Sequence, residues 1–149
     1  MQSIGAVPTA ELKEQVMAWT ATENKIQDFF YPMGSVSGSG AEGQTIAYDY
    51  MTSHWGEIRA RVSKANTSLT DAVISFCCAG FTTYAKANAI EAFFEANPCE
   101  GSSRRIQQLL EGMRNTAKFV ETHIAASALS DAAFWARLTG AVIEACEEQ

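Results

Sequence analysis

The stretch Gly101–Glu121 (GSSRRIQQLLEGMRNTAKFVE) predicts an amphipathic helix and decides the fold class of this chain. At about 100° per residue, its apolar side chains fall within one arc of the helix. They are Ile106, Leu109, Leu110, Met113, Ala117 and Val120. The opposite arc is polar and contains Arg104, Gln108, Glu111 and Asn115. We therefore predict that Leu109 and Leu110 are core residues, that Ser102 or Ser103 caps the helix, and that the polar arc faces solvent or a shared cavity.

The same spacing of apolar residues recurs in six other segments of the chain. They are Thr9 to Trp19, Glu23 to Val36, Ala41 to Asn66, Ser68 to Gly80, Tyr84 to Asn97 and Ser130 to Gln149. No segment alternates as a strand would. Only GSVSGSG (Gly34–Gly40) is typical of a flexible loop. The chain is therefore expected to be a succession of medium-length helices with short connections.

Seven such helices predict an all-α fold. A closed bundle and an open array fit the same pattern. We expect the array: antiparallel helix pairs in a curved α-α superhelix of the HEAT/armadillo type, one domain over residues 1–149. Repeats of such an array bury their faces on neighbours, so a helix at its end can lack cover. We expect this of the first helix, with Val16 and Trp19.

Composition excludes two classes of partner. The chain has 149 residues, 47% of them hydrophobic, which is enough for one core. Its formal net charge of −6 repels phosphate backbones, so we expect no nucleic-acid partner. No stretch approaches the roughly 20 apolar residues of a membrane span, and the first residues do not resemble a signal peptide.

The cysteines favour a reducing compartment. Cys77 and Cys78 lie in an apolar run, where a reduced cysteine behaves as a small hydrophobe. We therefore expect a cytoplasmic location. The secretory-pathway lumen remains the alternative, because Asn66 begins a possible glycosylation triplet, Asn-Thr-Ser.

No pattern in the chain points to catalysis or to a metal. His54 and Glu57 lie one helical turn apart, but a zinc site needs at least three protein ligands and no third is indicated. His123 is placed to act as a favourable charge at a helix C-terminus. Cys99 has no histidine near it in sequence, so we do not interpret it as a catalytic nucleophile. We therefore assign no catalytic residue, no metal ligand and no cofactor to this chain.

Several motifs occur in an order that is more specific than any of them alone. IAYDYMTSHWGEI (Ile46–Ile58) is followed by the apolar, Ser- and Phe-containing helix LTDAVISFCCAGF (Leu69–Phe81). Then come AIEAFFEANP (Ala89–Pro98), RRIQQ (Arg104–Gln108) and NTAKF (Asn115–Phe119). In order and spacing, this series resembles the C-terminal end of puromycin-sensitive-type zinc aminopeptidases of the gluzincin family. Phe119 departs from the family pattern, which usually has another aromatic such as Trp there.

The resemblance implies a division of labour within a larger parent protein. The family's zinc is held by an H-E-x-x-H motif and a downstream glutamate, and a G-x-M-E-N signature completes the site. This chain contains neither motif. The resemblance therefore implies that zinc belongs to upstream domains of the same polypeptide, and that this chain is a non-catalytic helical domain. The resemblance also implies that this domain covers the active site, so that peptides but not folded proteins can enter.

If the chain is such a domain, the candidate substrate-channel face is the polar arc of the helix in Gly101–Glu121, which consists of Arg104, Gln108, Glu111 and Asn115. The alternative is a free-standing helical adaptor that binds a partner peptide or protein in a groove.

Overall fold

The computed structural model describes residues 6–62, 67–124, 127 and 131–137. Within these residues the chain forms seven α-helices, a further helical segment at residues 132–137, and no strand. The seven are α1 (Ala10–Thr22), α2 (Phe30–Ser37), α3 (Ala41–Ser53), α4 (Trp55–Val62), α5 (Thr67–Cys78), α6 (Tyr84–Ala96) and α7 (Ser103–Phe119). Short 3-10 turns at Ile26–Asp28 and Glu100–Ser102 precede α2 and α7, and a π-helical turn at Val120–Ile124 follows α7. The all-α prediction is confirmed. Most of the predicted last helix, Ser130 to Gln149, lies outside the described residues.

Each helix packs on helices that lie one to three places from it along the chain. Helix α2 packs against α1, α3 and α5, while α5 also packs against α7, which in turn packs against α6. Within the described part of the chain, α1 makes no extensive contact with α6 or α7. This is the packing of a helical array, in which each unit touches its neighbours, rather than of a closed bundle.

A single core runs through the helices. Its fully buried side chains include Met17, Phe29, Met33, Met51, Ile58, Ile74 and Ile90. Trp55 is also buried, as its spacing predicts, and meets the rings of Phe93 and Phe94 edge-on at 6.0 and 5.5 Å between centroids. Edge-to-face contacts of this kind add to the free energy that burial of the rings supplies.

The predicted flexible loop at Gly34–Gly40 is wrong over its first half. Gly34–Ser37 forms the end of α2, and only Gly38–Gly40 connects it to α3. The helix extends because Val36 is fully buried and the N–H of Gly38 donates to the carbonyl of Gly34 at 2.9 Å. The chain then reverses at Gly40, whose φ of 116° suits glycine.

The predicted long helix from Ala41 to Asn66 is broken in two at His54. The backbone N–H of His54 donates to the carbonyl of Tyr50 at 3.0 Å, and the ring Nδ1 lies 3.0 Å from the same oxygen. The imidazole also stacks on the Tyr50 ring at 4.1 Å. Because that side chain competes with the regular helical pattern, α3 ends at Ser53 and α4 begins at Trp55.

Helix α4 is tied back to the end of α1 by one arginine. Arg61 donates hydrogen bonds to three carbonyl oxygens at and beyond the α1 C-terminus, those of Thr20, Ala21 and Asn24. Its guanidinium also lies 5.2 Å from the centre of the Phe29 ring. These carbonyls have no partner within a helix, so the arginine acts as a C-terminal cap supplied from another element.

The outer face of α1 is exposed at Trp19, as expected, but the expectation is wrong for Val16, which is half-buried and packs against the core. Trp19 is 38% exposed and Leu12 is 40% exposed. On the inner side, the buried ammonium of Lys13 pairs with the Glu42 carboxylate at 2.6 Å. Helix α1 is therefore held to α3 on one side and presents an apolar surface on the other.

Candidate binding groove between α5 and α7

The structure divides the predicted channel face into two pairs of residues. Arg104 and Gln108 line a groove between α5 and α7. Glu111 and Asn115 are exposed and lie outside the residues that line it. The polar arc of α7 is therefore solvent-accessible throughout, but only its first half faces a neighbouring helix.

The groove is polar at one end and more apolar at the other. Its polar end has a volume of about 750 Å³ and its apolar end about 300 Å³. At the polar end, Asp71 and Ser75 of α5 face Arg104 and Arg105 of α7. At the apolar end, the lining side chains include Phe81, Leu109 and Met113, beside the bare backbone of Gly112.

Two arginines without carboxylate partners define the electrostatics of the polar end. The Nε of Arg105 donates to the Ser75 hydroxyl at 2.6 Å. Neither Arg104 nor Arg105 forms an ion pair with any residue that the structure describes. Oδ1 of Asp71 is buried and accepts no hydrogen bond from those residues. The polar end thus presents guanidinium donors at its surface and encloses one buried acceptor that has no hydrogen bond within the described residues.

Sequence reasoning missed the α5 half of this groove. Asp71 and Ser75 in α5, and Phe81 just after it, lie about 20 to 30 residues before α7 in the chain, and only the packing of α5 on α7 brings them beside it. The predicted cap of α7 is correct in position only. Ser102 precedes the helix, yet its buried hydroxyl makes no hydrogen bond within the described residues.

The remaining candidates for chemistry are dispersed. His54 is half-buried at the α3–α4 break, Glu57 is exposed, and His123 contacts the Phe119 ring at 5.1 Å. Among the residues that the structure describes, no three His, Cys, Asp or Glu side chains are grouped so as to hold a metal ion. The same residues include no helix that is long and apolar enough to cross a membrane.

The adjacent thiols of α5 are set in the core. Cys77 and Cys78 are fully buried, with their sulfurs 4.0 and 3.9 Å from those of Met33 and Met51. Loss of hydration raises the pKa of Cys77 to about 12 and that of Cys78 well above its usual value. Neither can act as a nucleophile at neutral pH, in agreement with their interpretation as core residues.

Thiol modification tests this burial. In a Cys99→Ser, Cys146→Ser variant at pH 8, we expect no reaction of the folded protein with a thiol reagent, because about one Cys77 in ten thousand is ionised. In denaturant, two thiols per chain should react at once. A rapid reaction of either thiol in the folded protein would contradict the burial. The singly substituted Cys146→Ser chain, which keeps half-buried Cys99, serves as the reactive control.

An array of paired helices with an interhelical groove defines a helical-repeat domain. Its sequence matches the profile of the ERAP1-like C-terminal domain over residues 1–115. The chain belongs to this family, whose members are C-terminal domains of M1 aminopeptidases. The resemblance in motif order is therefore confirmed.

Two aminopeptidases are among the similar proteins. The chain is 24% identical over 121 residues to an alanine/arginine aminopeptidase of Saccharomyces cerevisiae, which covers 80% of this chain and 14% of that protein. It is 27% identical over 100 residues to aminopeptidase M1-B of Oryza sativa subsp. japonica, covering 67% of this chain and 11% of the relative. The chain thus spans a small part of the length of the relatives it matches.

Proposed function

We propose that this chain is the non-catalytic C-terminal domain of a zinc-dependent aminopeptidase that removes N-terminal residues from peptides. In this role the helical array covers the active site and limits access to peptide substrates. The observation that carries the proposal is the family match over residues 1–115. The zinc and its ligands belong to upstream domains of the same polypeptide, and residues 1–149 form one helical domain beside them.

Two features of the surface support this role. The apolar outer face of α1, with Leu12 and Trp19, suits contact with a preceding helix of the same array. The polar arc of α7 is accessible to solvent, as a surface that contacts a passing peptide substrate has to be.

The core cysteines bear on where the parent enzyme is found. Cys77 and Cys78 are fully buried and reduced, which agrees with a cytoplasmic parent enzyme.

The test compares two substrates on the natural full-length polypeptide. Short aminoacyl reporters reach only the zinc site, whereas a peptide of about ten residues extends roughly 33 Å. We expect the double variant Arg104→Ala, Gln108→Ala to change kcat/KM for the long peptide and to leave the reporter unchanged. Arg59→Ala, an exposed arginine on α4, is the matched control and should change neither value.

Two results would count against the proposal. If kcat/KM of the double variant stays at the wild-type value for both substrates, the polar arc is merely exposed to solvent and does not contact the peptide. A natural polypeptide that holds no zinc and hydrolyses no reporter would favour the alternative, a helical adaptor that binds a peptide or protein partner.

A further inference from the structure

We propose that Lys86 is a charge-dependent latch that fixes the position of the α6/α7 helix pair relative to α3. Its ammonium group is held by the faces of two aromatic rings instead of by a carboxylate. The latch is a property of the 149-residue chain itself, independent of the aminopeptidase assignment, and it is tested without any enzymatic activity.

Two rings from different elements surround the Lys86 ammonium. Its Nζ lies 3.9 Å from the centre of the Tyr48 ring in α3 and 4.7 Å from the centre of the Phe81 ring, in the turn between α5 and α6. The two rings meet edge to face, with centroids 5.7 Å apart and an angle of 81° between their planes. Both distances from Nζ are within the roughly 6 Å at which a ring face attracts a cation. The lysine therefore joins α6 to two elements that precede it in the chain.

The helix that carries Lys86 does not favour a cation at this position. Lys86 lies in the first turn of α6, three residues after the N-cap Thr83, where the helix dipole disfavours a positive charge and no acidic residue offsets it. The side chain is half-buried and forms no ion pair with any residue that the structure describes. The ring faces thus supply the stabilisation that the helix position itself does not.

The packing of α6 leaves room for such a latch to matter. Within the described residues, α6 packs extensively only on α7. Its C-terminal half is attached to α4 by the Trp55 ring, which meets two phenylalanine rings. Its N-terminal end is attached to α3 by the Lys86 contact and, in the preceding turn, by a hydrogen bond from Gln44 Nε2 to the carbonyl of Ala79 at 2.6 Å. Loss of the Lys86 charge should therefore loosen the first turns of α6 and leave its C-terminal half in place.

Phe81 connects the latch to the α5/α7 groove. One and the same ring contacts the Lys86 ammonium and lines the apolar end of the groove. Release of the ammonium therefore frees a side chain of the groove wall together with the start of α6. Through this ring, the charge of a single lysine is coupled to the shape of the groove.

Amide hydrogen exchange, measured by NMR on the 149-residue chain, tests the latch. The probes are the amides of Ala87–Ile90 in α6, and those of Met17–Thr20 in α1 are the internal reference. Lys86→Met keeps an unbranched side chain and removes the charge. We expect it to lower the protection of the α6 amides about tenfold and that of the α1 amides by under about twofold. Lys86→Arg keeps a cation that can stack on the rings, so its protection should stay within about threefold of the unmodified chain.

The direction of the change separates the latch from an ordinary exposed lysine. A cation in the first turn opposes the helix dipole, so without the ring contacts Lys86→Met would raise the protection of α6. Lys25→Met is the matched control, because Lys25 is exposed and lies outside α6, and it should change neither set of amides.

A double-mutant cycle identifies the rings as the partners of the charge. In a Tyr48→Phe background, which keeps the ring, Lys86→Met should again lower the α6 protection about tenfold. In a Phe81→Leu background, which removes one ring at a half-buried position, the same substitution should lower it by about threefold or less. Tyr48→Leu removes the closer ring and should reduce the effect to under about twofold. Because Tyr48 is buried, Phe81→Leu decides the comparison if Tyr48→Leu does not fold.

Three results would overturn the latch. The first is unchanged or raised protection of the α6 amides in Lys86→Met. The second is an equal loss of protection in α1 and α6, which would show a global loss of stability instead of a local release. The third is an effect of Lys86→Met that is as large in the ring-removing variants as in the unmodified chain. Protection that is lost with methionine and kept with arginine would support the latch.

Discussion

Leu110→Ala should lower the free energy of unfolding by about 2–5 kcal/mol, a combination of lost transfer free energy and a residual cavity. Leu110 is 5% exposed and belongs to the core that α7 shares with α6. For a domain of typical stability, about 5–15 kcal/mol, this is a large fraction of the total. Urea unfolding followed by far-UV circular dichroism measures the change.

The adjacent leucine is the matched comparison. Leu109 is half-buried on the groove wall, so Leu109→Ala should cost about 1–2 kcal/mol, less than Leu110→Ala. Gln108→Ala on the exposed arc should change stability by under about 0.5 kcal/mol. Equal losses for the two leucines would show that the groove is closed in solution and that Leu109 is also a full core residue.

Gly43→Ala should lower the free energy of unfolding by about 1–3 kcal/mol, although alanine is the better helix former. Gly43 is buried in the first turn of α3, where a Cβ would lie 2.1 Å from the carbonyl oxygen of Val36. That oxygen belongs to the end of α2 and already accepts hydrogen bonds from Ser39. The backbone cannot yield without separating two packed helices.

Alanine at Gly56 should stabilise the protein, and alanine at Gly34 should change its stability little. Gly56→Ala should raise stability by about 0.5–1 kcal/mol, since its surroundings are open. At Gly34 the new Cβ would meet the ring of Phe76 at 2.5 Å, but that ring is 41% exposed and can rotate away, so the net change should be small. Among the three alanine variants, Tm should be highest for Gly56→Ala and lowest for Gly43→Ala. A Gly43→Ala variant that is more stable than the unmodified chain would contradict the close approach of α2 and α3.

Helix content and burial were predictable because they are encoded locally. The spacing of apolar residues placed α7 and the helix end at Asn97-Pro98 correctly, and it placed the buried face of α7 correctly except at Leu109, which is half-buried. Two of the errors arose where a single residue outweighed that pattern. At Gly34–Ser37, buried Val36 keeps a glycine- and serine-rich stretch helical, and at His54 a side chain takes over the carbonyl of Tyr50.

The groove was only half predictable for a different reason. Arg104 and Gln108 could be assigned to a polar face from their positions in α7 alone. Which half of that face meets another helix depends on long-range packing, and no local pattern couples α7 to Asp71 or Ser75. The exposed positions of Glu111 and Asn115 follow from the same packing.

The single arginine that caps α1 from α4 also bears on how the molecule unfolds. Arg61 and Thr20 are 41 residues apart in sequence, so their hydrogen bond closes a large loop that contains α2 and α3. Closing that loop costs conformational entropy, and this cost is offset only when the contacts of all four helices have formed. We therefore expect the first four helices to open as one cooperative unit, and hydrogen exchange at the end of α1 to respond to substitutions that loosen α4.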